Sequence, residues 1–461
     1  MKIRFKASLP LLFCAPVAAF LCGCGPGSQT ITLAPAPPGP ADLGPAAGLS
    51  TPPSNAVVFD LKYVAQTGGT GDIQYFSFWG YGGSDDEAQR NPFLQAVRQK
   101  SSRLHYVQNP SFTGREWAAV VYRRRVATAL YFDLNADGKL SESERILPTR
   151  KNDSGVEFIT PDFFVTPQPG GPAMLCRALL RVNFYQGSSE PNCMWSPAAV
   201  LEGSADLNGK LSRLLLFASN PAGEFAKYGA SSYALLTEDQ ANSNPDHYIS
   251  RESLSSLVCI QGSFYRLTIE GLRSNGLPAR ALLAKDDSPT GELSVKLTGS
   301  NSFPSTFASL YLNGVNDKNV FLRVSGAKDK LALPTGTYAL SSGTISYGTT
   351  NASEWDVSFT KGPSATVEAG QSVLLTLGQP TLAIRAIDEK DRYNSQAVES
   401  ATFKRGTTVY LEPKILGKGQ EVFGRFRETT GAKNGPTDRP PRITITGPDG
   451  TTLLSKVMEY G

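Results

Sequence analysis

Apolar and polar residues alternate at a period of two along most of this chain, the spacing at which one face of a strand meets a core. AVVFDLKYVAQ (56–66) alternates, and IQYFSFWGYGG (73–83) continues with aromatics and closes on glycines. WAAVVYRRRVATALYF (117–132) is a strand-like run in which Val126, Thr128, Leu130 and Phe132 fall on one face. From residue 291 the runs ELSVKLTG, FASLYLNG, VFLRVSG, GTYALSSG, WDVSFTKG and SVLLTLGQP follow in succession, short and mostly closed by glycine, as in an antiparallel sandwich. RITITGPDGTTLL near the C-terminus predicts a hairpin turning at Gly-Pro-Asp-Gly. Helical signals are few. DDEAQRNPFLQAVRQK (85–100) has acids first, bases last and Pro92 inside, which predicts a short helix. One further helical turn is expected over 142–147, ahead of Pro148.

The pattern also repeats. LSRLLLFASNPAGEF (211–225) parallels VATALYFDLNADGKL (126–140): with Gly138 laid on Gly223, Asn135 falls on Asn220 and Phe132 on Phe217, while Asp133 meets Ala218 and Asp137 meets Ala222. The second loop has therefore lost two carboxylates.

Composition agrees with a strand-rich chain and bounds its size. Of 461 residues, 44 are Gly and 32 are Pro, which favours short strands and turns over long helices. The length predicts about two to four domains. Net charge is +4; without Lys2, Arg4 and Lys6 it is about +1, so no broad polyanion-binding field is expected and the Arg123–Arg125 cluster is not read as a nucleic-acid site.

The N-terminus reads as a targeting segment. Lys2, Arg4 and Lys6 precede an apolar run from Leu9 to Leu21 that is too short to span a bilayer, and Leu21-Cys22-Gly23-Cys24 follows. This order resembles a bacterial lipoprotein signal with its lipobox. The resemblance implies cleavage after Gly23, lipid on Cys24, and export with anchoring, by way of Gly25, at the outer membrane or cell surface. Residues 24–55, rich in Pro, Gly and Ala, form a polyproline-leaning spacer. Of six cysteines, Cys176, Cys193 and Cys259 stay in the folded part; either all three are small buried hydrophobes, or two form one bridge in any of three pairings.

The stretch with the most specific chemistry is DLNADGKLSESE, Asp133–Glu144. Asp133, Asn135 and Asp137 put oxygens at positions 1, 3 and 5, Gly138 allows a sharp reversal at 6, and Lys139 offers its carbonyl at 7. Leu140 is set to pack inward, Ser141 can ligate at 9, and Glu144 closes the set at 12. The spacing resembles the EF-hand calcium loop. The resemblance implies calcium as the cofactor, an all-oxygen shell and, for an isolated loop led in by a strand, a structural clamp with affinity near about 10⁻⁴–10⁻³ M. A paired-loop sensor is not expected.

No enzyme is expected. The two histidines, His105 and His247, sit in no HExxH motif, and neither GxSxG nor a phosphate-binding loop occurs. Asp388, Glu389 and Asp391 read as a solvated turn. Tyr75, Phe76, Phe78, Trp79 and Tyr81 read as an aromatic core strand, or else as a sugar-stacking platform. LPTGTYAL (333–340) with VEAGQSVLLTLG (367–378) is similar to the small Ig-like or transthyretin-like modules of bacterial surface proteins, which implies fold alone.

The expected fold class is mainly β with minor α and multidomain: signal 1–23, anchored linker 24–55, a β-rich or α+β domain 56–171, its diverged repeat 172–290, an Ig-like sandwich 291–380 and a C-terminal β module 381–461. The expected role is a calcium-binding lipoprotein of the cell envelope, structural or binding, attached to the membrane through Cys24. An envelope protein or glycan is its partner, and nucleic acid is not. A carbohydrate-binding or adhesion module is the alternative, and an enzyme of unknown type the third.

Overall fold

The computed structural model describes residues 46–65, 78–79, 81–82, 103–108, 112, 117–152, 155–166, 173–185, 190–237, 251–273, 275–297, 305–325, 330–347, 355–377, 381–389, 403–404, 406, 408–417, 421–428, 437–438, 442–446 and 449–457. The fold is mainly β, built from several antiparallel sheets. The expected helix over 85–100 lies outside the described residues. Two compact units divide the described residues: 46–287 with Asn319–Phe321, and Ser288–Lys318 with 322–457.

Two sandwiches make up the first unit. In one, a sheet ordered Tyr81–Gly82, Arg103–Gln108, Trp117–Arg123, Val126–Phe132 and Arg145–Ile146 shares a core with a sheet ordered Phe78–Trp79, Asn192–Pro197, Ala178–Asn183, Gly155–Ile159 and Arg150–Asn152. Alternation selects the side chains that meet: Val120, Leu130, Phe132, Phe158, Leu180 and Trp195 are buried together. Phe112, Phe132, Phe163 and Trp195 pack edge-on or tilted, with ring centroids 5.0–5.7 Å apart, the geometry that sets positive ring edges against negative faces. Truncating Phe132 there would cost about 3–5 kcal/mol.

The second sandwich sets the sheet Lys62–Ala65, Ala199–Leu207, Lys210–Phe217, Ser232–Thr237, Glu252–Ser253 against the sheet Ala56–Asp60, Pro278–Lys285, Ser263–Leu272, Leu257–Ile260. Phe59, Leu201, Leu214, Leu216, Phe225, Leu267 and Leu283 fill its core. Its first strands come from far upstream: Ala56 pairs with Ala284 and Ala65 with Ala199.

The run 117–132, which reads as continuous in sequence, is two strands. Arg123 pairs with Val126, and Arg124 and Arg125 make the turn with φ of 50° and 63°. Positive φ at both central residues is the primed turn whose twist suits a two-residue hairpin. Helix after the loop is also shorter than expected. It is one 3₁₀ turn, Glu142–Glu144, before the chain extends again at Arg145–Ile146.

In the second unit, Thr290–Leu297 pairs antiparallel with Leu331–Pro334 and parallel with Ser372–Leu377. A larger sheet runs through Ser305–Gly314, Gly336–Tyr347, Trp355–Thr360, Val422–Glu428, Val409–Leu416 and Thr381–Asp388, so residues on both sides of position 380 share it. The tyrosine of LPTGTYAL, Tyr338, is buried, and its hydroxyl donates to the Pro334 carbonyl at 2.9 Å. Arg442–Thr446 and Thr452–Val457 form the expected hairpin.

Candidate metal centre

The loop Asp133–Glu144 begins where the buried strand Val126–Phe132 ends and closes at the 3₁₀ turn. Phe132 and Leu140 fix its two ends, the first in the aromatic core and the second in a small cluster with Tyr106, Ala119, Val121, Ala129 and Tyr131. Between them Asn135 to Lys139 arc outward and are exposed, and Gly138 makes the reversal at φ +74°.

The backbone of the arc turns its N–H groups inward onto carboxylates. Asp133, only 4% exposed, accepts from the Asp137 amide on Oδ1 at 3.2 Å and from the Gly138 amide on Oδ2 at 3.0 Å. Glu144, 3% exposed, accepts from the amides of Leu134 and Asn135 on Oε1 at 2.9 and 3.4 Å. Its Oε2 accepts from the Ser141 amide and hydroxyl, both at 3.0 Å. Asn135 Oδ1 accepts the Asp137 amide at 3.0 Å, and Asp137 Oδ1 accepts the Lys139 amide at 2.8 Å. The Asn135 side-chain amide donates to Asp137 Oδ2 at 3.2 Å. Outside the ring of donors, Tyr131 donates to Glu142 at 3.0 Å and Arg145 pairs with Glu142 at 3.1 Å. Burial and that hydrogen bond raise the Tyr131 phenol above its ordinary pKa.

The six expected ligand residues thus divide. Asp133 and Glu144 are drawn inward, Ser141 sits between them and the surface, and Asn135, Asp137 and Lys139 lie on the exposed arc. Among the described residues, no three or more His, Cys, Asp or Glu side chains are gathered as a metal-holding group. No ion pair with a Lys, Arg or His side chain neutralises Asp133 or Glu144 among those residues either. The two buried carboxylates each accept from neutral amide or hydroxyl donors, whereas buried charges ordinarily pair or coordinate a metal. With two buried carboxylates, an amide oxygen, a hydroxyl and an exposed carboxylate, the donor set is all oxygen and suits a hard cation. Ser141 engaging Glu144 was readable in sequence, because Ser-x-x-Glu is the spacing of a reciprocal cap.

The loop after Lys210–Phe217 shows what the same outline does without the acids. Gly223 again has positive φ, +82°. Ala218 and Ala222, which stand where Asp133 and Asp137 stand, are buried, and the Cys176 thiol donates to the Ala222 carbonyl at 2.8 Å. Glu224 accepts from Asn220 Nδ2 at 2.8 Å and from Ser219 Oγ at 3.2 Å, with Lys227 Nζ 3.6 Å away. This loop docks onto the protein and supplies its own cation.

Elsewhere the candidates are quieter. Cys176 and Cys193 are buried free thiols, and Cys259 is free and exposed. Burial drives the Cys193 thiol well above its usual pKa, and that of Cys259 is raised the same way. Burial lowers His105, with Glu190 opposing. His247, Cys24, Tyr75, Phe76 and Asp391 lie outside the described residues, and so does the side chain of Trp79, whose backbone pairs with Met194. No family model, no curated protein and no solved structure matches this chain.

Proposed function

We propose that this chain is a calcium-stabilised β-protein of the bacterial cell envelope, held to the membrane through lipid on Cys24 and serving a structural or binding role toward an envelope protein or glycan. One observation carries the calcium reading: Asp133 and Glu144 are buried in an all-oxygen loop, and among the described residues no cationic side chain pairs with them. Asp133, Asn135, Asp137, the Lys139 carbonyl, Ser141 and Glu144 are the residues that would hold the ion. A divalent cation there supplies the positive charge that the buried pair lacks. The chain's own part is to present oxygens on a curled backbone, to let Gly138 reverse direction, and to anchor both ends through Phe132 and Leu140. The loop joins the central sheet to its edge strand Arg145–Ile146. Tightening it therefore closes a strand junction and opens no groove, and the ion acts as a clamp.

Thermal unfolding of the mature chain with and without calcium tests this. With a dissociation constant near 10⁻⁴–10⁻³ M, 5 mM calcium stabilises by about 1–2 kcal/mol, a rise in melting temperature of about 2–8 °C. Asp133→Ala should abolish the rise. No rise in the wild type, or the same rise in the variant, would overturn the reading.

A further inference from the structure

We propose that the end of the first sandwich where Trp117–Arg123 turns into Val126–Phe132 binds the phosphate groups of an anionic bilayer. The turn is built against backbone preference. Arg124 and Arg125 occupy the left-handed region at φ 50° and 63°, where a side chain on Cβ is strained. Among the described residues two other two-residue hairpins have both central φ positive, and both place glycine second: Asn208–Gly209 and Gln261–Gly262. The first sandwich gives up that glycine for consecutive arginines. Strain kept in place by surrounding structure points to a use for the side chains.

Their surroundings say what the use is. Arg123, Arg124 and Arg125 are all exposed, and exposed Arg103 is the cross-strand partner of Tyr122 beside them. Among the described residues no carboxylate forms an ion pair with Arg103, Arg123 or Arg124. Arg125 donates to the Tyr185 carbonyl at 2.7 Å, which holds Tyr185, 58% exposed, at the same rim. Beneath it the Tyr122 and Phe184 rings stand 5.2 Å apart, a stiff base for the tip. Planar guanidinium groups that match phosphate oxygens, next to an exposed tyrosine, form the pair of side chains suited to a membrane–water interface. The choice of a bilayer over another polyanion rests on the lipid-anchor reading: Ala47 already pairs with Leu272, so a spacer of residues 24–45 would tether the unit that carries this tip to the headgroups by about 70 Å of chain at most.

The test is co-sedimentation of the mature chain bearing Cys24→Ser, so that no acyl group contributes, with vesicles of phosphatidylcholine alone or mixed with phosphatidylglycerol. Binding is expected only to the mixed vesicles and should weaken with salt. Arg124→Asn with Arg125→Gly installs the turn already used at 208–209 and should leave the fold intact while weakening partition roughly thirtyfold. Arg123→Gln, which leaves the turn untouched, should weaken it about fivefold. Equal binding to both vesicles, no loss in either variant, or retention on heparin without vesicle binding would each overturn the proposal. The mass of the Cys24 peptide from the native chain reads the anchor separately: lipid on Cys24 with no vesicle binding refutes the tip and leaves the anchor standing.

Discussion

Replacing Glu144 by glutamine keeps the shape of the side chain and changes one oxygen to an NH₂ group. In the folded loop each carboxylate oxygen faces two donors: the Leu134 and Asn135 amides on one side, the Ser141 amide and hydroxyl on the other. Whichever way the new amide turns, its NH₂ meets donors. A half-buried backbone N–H then loses a hydrogen bond to a charged acceptor, worth about 1.5–3 kcal/mol. The expected net loss is about 2 kcal/mol in calcium-free buffer, or about 4–8 °C in melting temperature. Thermal unfolding followed by tryptophan fluorescence suits the measurement, since Trp195 packs on Phe132 at the mouth of the loop. A second cycle with Ser141→Ala isolates the Oε2 side: if the bonds are as drawn, the two substitutions together cost less than their sum. A Glu144→Gln chain that melts at the wild-type temperature or above it without calcium would refute this account of the loop.

Gly138→Ala meets nothing within 4 Å and should cost only the backbone strain at φ +74°, about 1 kcal/mol. Gly223→Ala puts its new carbon 3.2 Å from both the Cys176 sulfur and the Leu175 carbonyl, so its melting temperature should fall further. His105 has its pKa held by burial below the ordinary 6.5. The unfolded chain then takes up the proton first as pH falls, and the stability His105 contributes above about pH 6.5 is lost below it. Between pH 7.5 and 5 the wild type should lose more melting temperature than His105→Gln, and equal losses would contradict the assignment. A thiol reagent should modify Cys259 in the native chain, slowly because its thiol is raised, and reach Cys176 and Cys193 only after denaturant is added.

Strands were legible wherever burial alternates. Leu130 and Phe132 were placed on one face by period alone, and both lie in the aromatic core. The Arg124–Arg125 turn was not legible, because turn prediction reads residue preference and arginine has none for positive φ. Strand partners were equally hidden. Nothing local to Ala56–Asp60 announces Pro278–Lys285, and Thr290–Leu297 carries no mark of its parallel neighbour Ser372–Leu377. At the loop, spacing gave the six oxygen donors, but it could not say that the backbone amides would draw Asp133 and Glu144 inward and leave Asp137 on the exposed arc.

Pairing Ala56 with Ala284 has a consequence in time. Closing roughly 230 residues of intervening chain costs about 3 kcal/mol more entropy than closing a tight hairpin such as Leu257–Ile260 with Ser263–Leu272. Contacts so distant in sequence form late. During synthesis the strands Ala56–Asp60 and Lys62–Ala65 emerge first, yet their partners follow more than a hundred residues later. Throughout that interval two strand edges stand open to any other chain that could add to them. The second sandwich is where crowding would first cause misassembly. Slowing synthesis should raise aggregation of this chain more than of one whose strands pair with their neighbours.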